Sequence, residues 1–298
     1  MLENFEPLIK LSDSEDKAFS TFIRQKRREL ILPPKETAIR ATKNNQGLVE
    51  GLLKAGKLSE AIKTLRQLSY DEFLKEEAKF NGVVLAEIGK KFDAPKRILE
   101  SVSDSLYELS CVSKEEFQEK TRLFFGEYAG AISPYIYSLC LSNTQSRRSR
   151  AGKTFEGIIY FLYEYFDFPY ESQSSIGKKA FSSLRLGKVV DSILPSRQAF
   201  TDRRTKTIVG SMKTTLRERW QEVVEEISRS NLPNIHLLTV DDDISDNKAE
   251  QMSQHNIVLV VLSEVKNQEK LRDKHSIIDF ETYFQEEIPA IMKHWKKE

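Results

Sequence analysis

Residues 188–196 read KVVDSILPS and residues 205–226 read TKTIVGSMKTTLRERWQEVVEE. Val189, Val190, Ile193 and Leu194 surround Asp191 with the apolar side chains of a buried strand. A carboxylate in such a strand costs several kcal/mol unless a cation or hydrogen-bond donors compensate it. Ile208, Val209 and Met212 lead up to Lys213, which places an ammonium group at the end of a second strand. Thr214 or Thr215 is then expected to cap a helix that buries Leu216, Trp220, Val223, Val224 and Ile227. Arg219, Glu222 and Glu226 recur at three- and four-residue steps, so they share one face of that helix, and Glu226 looks back over the strand ends. Strand, strand and helix together predict an α/β core with a central mixed sheet flanked by helices.

Asp191, Lys213 and Glu226 form the set that metal-assisted phosphodiester hydrolysis needs. Carboxylates hold a hard divalent cation beside an already negative phosphate, and the lysine balances charge that develops in the transition state. An acid and a lysine on neighbouring strands also occur as plain ion pairs, so the pair alone is weakly specific. The common nuclease pattern is PD followed by (D/E)-x-K. Here Val190 stands in place of the proline and Ser211 in place of the second acid.

The segment SMKTTLRERWQEVVEE (211–226), with RRSRAGKTFE (147–156) upstream, resembles the type II restriction endonucleases of the EcoRII, SsoII, PspGI and PfoI-like group, part of the wider set that reads CCGG-like sequences. The resemblance is specific from Gln145 to Glu226. It implies a PD-(D/E)XK nuclease core whose second metal-binding acid has migrated from the lysine strand to the following helix, which accounts for Ser211. By the same resemblance Asp191 and Glu226 hold Mg²⁺, Lys213 is the catalytic lysine, and Glu156 is a further acid of the active site. Arg217, Glu218 and Arg219 match the group's R-(D/E)-R element, which enters the major groove. A guanidinium fork fits guanine O6 and N7, and a carboxylate accepts from cytosine N4. Gln145 matches the glutamine that reads the same pairs from the minor groove.

The activity so implied is Mg²⁺-dependent cleavage of double-stranded DNA at a CCNGG- or CCWGG-like palindrome, before the first C, leaving 5′ overhangs. A palindrome calls for a homodimer whose twofold axis matches that of the site. Some members of the group extrude the central base pair. The tryptophans here are Trp220 and Trp295, neither in the helical half, so no stacking residue is assigned. The alternatives are a catalytically inactive sequence-specific DNA-binding protein and a repair nuclease on the same core. The joint presence of Asp191, Lys213 and Glu226 disfavours the first, and the reader element with Gln145 disfavours the second.

The remainder bounds the class. A formal net charge of +1 over 298 residues suits a DNA-binding protein only if the cations are segregated onto one face. Residues 1–141 read as mainly helical, a DNA clamp or dimerisation region, and 142–298 as the catalytic and recognition core. Pro33, Pro34, Gly56 and Pro95 punctuate the helices, and Ser12 before Glu15 and Ser113 before Glu116 are capping-box patterns. Arg24, Lys26, Arg27 and Arg28 form a basic helix face, either solvated or set against phosphates, and Arg147, Arg148 and Arg150 are expected to hold phosphates. Cys111 and Cys140 are too few for a disulfide framework, lack zinc-ligand spacing and are expected to be buried thiols. The sequence shows no signal-peptide pattern and no membrane-spanning stretch, which points to the cytoplasm of a bacterium or archaeon.

Phe155, Tyr160, Phe161 and Tyr165 form an aromatic helix stripe expected to pack in the core. NIHLLTV (234–240) and NIVLVVL (256–262) suit buried strands. Asp241, Asp242 and Asp243 between them read as a polar turn, one of them capping a helix, rather than a second metal site. Residues 280–296 read as a closing amphipathic helix.

Overall fold

The computed structural model describes the chain except for residues 1–7, 108–111, 178, 180, 182, 183, 185, 188, 217, 218, 231 and 296–298. Of 101–107, Ser174, Arg219 and Glu226 it describes the backbone alone. The first half of the chain folds into α1 (Asp13–Leu30), α2 (Pro34–Asn44), α3 (Gln46–Lys54), α4 (Leu58–Lys91), α5 (Asp93–Tyr107), α6 (Lys114–Ala131) and α7 (Ser133–Tyr165). Two compact units emerge, Met1–Pro33 with Asp71–Ser149, and Pro34–Tyr70 with Arg150–Glu298. Both α4 and α7 therefore contribute residues to each unit.

The first unit is helical. Ser12 starts α1 with the expected capping box: its Oγ accepts from the Glu15 N–H at 3.3 Å while Glu15 Oε2 accepts from the Ser12 N–H at 3.2 Å. Ser113 likewise accepts from the Glu116 N–H at 3.2 Å to begin α6. Phe19, Phe22, Phe80, Ile88 and Tyr135 fill the core, with the Phe19 and Tyr135 rings edge-on at 4.9 Å. The basic face of α1 is divided. Lys26 lies 3.1 Å from both Glu29 and Glu87, and Arg27 donates to Asn143 Oδ1 at 2.7 Å over the Phe80 ring, whereas Arg24 and Arg28 are exposed. Cys140 corrects an expectation: it sits on the exposed side of α7, because Tyr135 and Leu139 take the inward positions of that helix. Cys111 lies outside the described residues.

The second unit is built on a six-stranded sheet of order β1 (Glu171–Ser172), β2 (Ser192–Leu194), β3 (Ile208–Lys213), β4 (Ile235–Thr239), β5 (Ile257–Val261) and β6 (Ile277–Asp279). The first three strands are antiparallel and β3 to β6 are parallel, so the sheet is mixed. The runs of β4 and β5 are almost wholly buried, as parallel strands covered on both faces require. Between β2 and β3 the short helix α9 (Arg197–Asp202) follows a cis Leu194–Pro195 bond, and α8 (Gln173–Ile176) follows β1. Gly210 in β3 faces Ser192 so closely that a Cβ there would lie 2.5 Å from Ser192 Oγ and would force the serine hydroxyl to move.

After β3 comes α10 (Arg219–Ser230), then α11 (Asp246–Gln254), α12 (Ser263–Lys266), α13 (Phe280–Thr282), a single π turn over Tyr283–Glu287, and α14 (Ile288–Trp295). The expected closing helix is thus interrupted by a π turn. There the Tyr283 hydroxyl meets the Tyr163 hydroxyl of α7 at 2.8 Å, tying that helix to the carboxyl-terminal segment. Of the aromatic stripe on α7, Phe155 and Tyr160 are buried, and Phe161 and Tyr165 pack half-buried against the same core. The helix expected to be capped by Asp241, Asp242 or Asp243 starts later, where Ser245 Oγ accepts from the Lys248 N–H at 3.3 Å. Among the described residues no helix is long and apolar enough to cross a membrane.

Candidate active site

Asp191 stands one residue before β2, and its backbone is held on both sides. Its N–H donates to the Gly210 carbonyl at 2.8 Å, and its carbonyl accepts from the Gln173 N–H and the Tyr160 hydroxyl, each at 3.0 Å. The side chain is aimed at the end of β3: Oδ2 accepts from the Met212 N–H at 2.6 Å and lies 3.5 Å from Lys213 Nζ. Both charged side chains are only 13% exposed. Because side chains alternate along a strand, Ser211 and Lys213 share a face, so Ser211 occupies the place of the usual second acid. It is fully buried.

Glu156 joins this pair from α7. Burial, then the negative charge of Asp191, push its carboxyl up to about 7, against the opposing pull of Lys213 and Lys153. The Asp191 carboxyl is also raised, by burial first, with the Lys213 ammonium and the Met212 N–H working against that rise. The Lys213 ammonium thus acts on both carboxyl groups, and Lys153 adds to its pull on Glu156. The cluster carries excess acid, and a hard divalent cation with a preference for oxygen ligands matches this donor set. Among the described residues no group of three or more His, Cys, Asp and Glu side chains converges on one point. Glu226, expected to supply the missing ligand, lies on α10, and its side chain is outside the described residues.

The expected reader is reached only in part. Arg217 and Glu218 lie outside the described residues, Arg219 is the first residue of α10 with its side chain undescribed, and Leu216 precedes that helix rather than belonging to it. The described helix starts at Arg219, so neither Thr214 nor Thr215 stands next to its first residue as the expected cap would. Gln145 is exposed on α7 and lines a cleft of about 400 Å³ in the helical unit together with Arg24 and Arg27. Two of the neighbouring arginines have partners within the protein. Arg147 pairs with Glu77, which is 2% exposed, through Nε at 2.9 Å and again through Nη2, and Arg150 donates to Thr37 at 3.0 Å. Arg148 is exposed.

Tyr160 and Gln173 were not singled out for this site. Tyr160 had a signal, being one helical turn beyond Glu156 and so on the same face of α7. Gln173 had none, because its partner depends on the pairing of β1 with β2.

Comparison with known proteins places the site in context. Residues 110–284 match the family model described as the EcoRII C-terminal region. The type II restriction enzyme SsoII of Shigella sonnei is 42% identical over 151 residues, 51% of this chain and 49% of that protein, so the match spans about half of the relative's length. The metal-depleted structure of Ecl18kI in complex with uncleaved DNA superposes with a TM-score of 0.75 at 28% identity, covering 96% of this chain and 86% of that one. PspGI in its substrate DNA complex shares the fold, with a TM-score of 0.61 at 19% identity over 90% of this chain and 96% of that one.

Proposed function

Since the chain belongs to the EcoRII C-terminal family, we propose that it is a type II restriction endonuclease that hydrolyses double-stranded DNA at a CCNGG- or CCWGG-like palindrome. The observation that carries this reading is the buried Asp191–Lys213 pair at the end of β3, with the Glu156 carboxyl of α7 in the field of both charges. Asp191 and Glu226, with Glu156 beside them, would hold Mg²⁺. The cation supplies Lewis acidity to the scissile phosphate and acidifies the attacking water.

Lys213 neutralises charge on the phosphate oxygens and orients the water through its ammonium group. The Met212 N–H and the Lys213 ammonium hold Asp191 Oδ2 in place, and Tyr160 and Gln173 fix the Asp191 backbone, so the first carboxylate is preorganised before DNA arrives. Arg217, Glu218 and Arg219 would read G·C pairs in the major groove and Gln145 the same pairs in the minor groove. Arg147 also supports the helical unit through its pairing with the buried Glu77.

Two copies related by a twofold axis would each cut one strand before the first C and leave 5′ overhangs. The test uses end-labelled duplexes containing CCAGG, CCGGG or neither, incubated with Mg²⁺, with the cut mapped on each strand and the mass measured by sedimentation. Staggered cuts flanking CC…GG by a dimer are expected. Equal cutting of all three duplexes would favour a repair nuclease, and specific binding in Ca²⁺ without cleavage in Mg²⁺ an inactive DNA-binding protein.

A further inference from the structure

The acidic run after β4 is not a uniform polar turn. Asp242 and Asp243 are exposed, whereas Asp241 is half-buried and turns back toward the end of β3. Its Oδ2 accepts from the Leu216 N–H at 2.6 Å, its Oδ1 accepts from the Asp243 N–H at 3.2 Å, and its own N–H donates to Thr239 Oγ1 at 3.1 Å. Thr239 is fully buried and pairs with Lys213 across the parallel β3–β4 ladder. A closed circuit results: Lys213, Thr214, Thr215 and Leu216 run forward along the chain, and Asp241 and Thr239 return to Lys213.

Leu216 is thereby fixed twice, by a side chain with no exposed surface and by a short charge-assisted hydrogen bond to its N–H. It is the last residue before Arg217. The carboxylate has no competing assignment as a helix cap, since Ser245 performs that role for α11, nor as part of a metal cluster among the described residues.

We propose that Asp241 is a positioning residue that holds the entry to the reader segment in register with the end of β3 that bears Lys213; this rests on Arg217 to Arg219 being the sequence-reading element. Asp241 acts through its hydrogen bond to Leu216. Loss of the acceptor frees the three-residue link between the lysine and the reader, so discrimination between the cognate site and a site with one changed G·C pair suffers along with cognate cleavage.

The experiment compares wild type, Asp241→Ala, Asp241→Asn and the exposed neighbour Asp242→Ala. Each is assayed for binding in Ca²⁺ and single-turnover cleavage in Mg²⁺, on a CC…GG duplex and on the same duplex with one G·C pair replaced, and each is melted thermally. Asp241→Ala is expected to lower the cognate-to-altered ratio about tenfold, the factor that 1.4 kcal/mol represents. Asp241→Asn keeps an oxygen acceptor for Leu216 and is expected to stay within about threefold of wild type, a difference well under 1 kcal/mol. Asp242→Ala is expected to match wild type. A lowered melting temperature with an unchanged ratio in Asp241→Ala, or an Asp241→Asn variant as impaired as the alanine variant, overturns the proposal. Wild type that does not distinguish the two duplexes removes the restriction reading itself, and this inference with it.

Discussion

Each unit buries a carboxylate, and the two are treated in opposite ways. In the helical unit Glu77 is almost inaccessible and is met by a two-pronged contact from the Arg147 guanidinium, so its charge is answered by a dedicated partner. In the sheet unit the buried Asp191 pairs with Lys213 at 3.5 Å and the half-buried Glu156 lies in the field of both, and both carboxyl groups are raised from their ordinary values. A buried acid with its own cation holds a fold together. Two acids raised by burial and by each other's charge bind protons more readily, and such perturbed groups are candidates for a functional site.

The largest effect expected from this contrast is on catalysis. Lys213→Ala should lower the cleavage rate by about a hundred- to a thousandfold, the range for loss of one preorganised stabilising group, and should also lower the melting temperature of the metal-free protein, because Asp191 and Glu156 lose the ammonium that offsets their charge. Single-turnover kinetics and thermal melting measured on the same sample check both halves of that statement.

Next in size is the closed pair. Glu77→Ala should destabilise the protein by about 1–3 kcal/mol, less than for a fully buried pair because Arg147 remains half-exposed and can be resolvated. Denaturant unfolding reads this directly. Glu156→Gln should act in the opposite direction at pH 8 without metal, stabilising the protein by about 1 kcal/mol after allowance for partial exposure, because a desolvated negative charge is removed. The same substitution should impair cleavage. A destabilised Glu156→Gln variant would dissolve the distinction between the two acids.

The smallest effect is on pH dependence. Glu156 binds its proton more tightly in the folded chain than in the unfolded one, so the folded state carries the extra proton between the ordinary glutamate range and about 7. The stability this contributes is complete below the unfolded value and is lost as pH rises through 7. The melting temperature of the metal-free protein should therefore fall across that window in wild type and stay flatter in Glu156→Gln. Ca²⁺ affinity, measured by calorimetry, should rise over the same window as the carboxyls ionise.

How far the sequence reveals all this depends on the range of each interaction. Asp191 and Lys213 stand out because each is a lone charge in an apolar run, a contradiction visible locally. The runs that became β4 and β5 are legible for the same reason. The two-residue β1 and three-residue β6 are too short to show any period, and they exist only because a neighbouring strand offers its edge. Arg147 reads as a phosphate ligand until its partner is found, and Glu77 lies seventy residues earlier in the chain. Asp241 hides in an acidic run whose members look alike until the fold turns one of them toward Leu216. That Pro34–Tyr70 groups with the sheet has no local signature either, since an amphipathic helix looks the same whichever core it covers.

The central claim is that Asp191, Glu156 and Lys213 form a nuclease centre coupled to a sequence reader. Digestion of a fully sequenced phage DNA in Mg²⁺ by wild type and by Lys213→Ala, with every fragment end sequenced, tests it most directly. Discrete ends at one CC…GG palindrome are expected for wild type and intact DNA for the variant. Ends scattered over unrelated sequences, or the same fragments from Lys213→Ala, would contradict it.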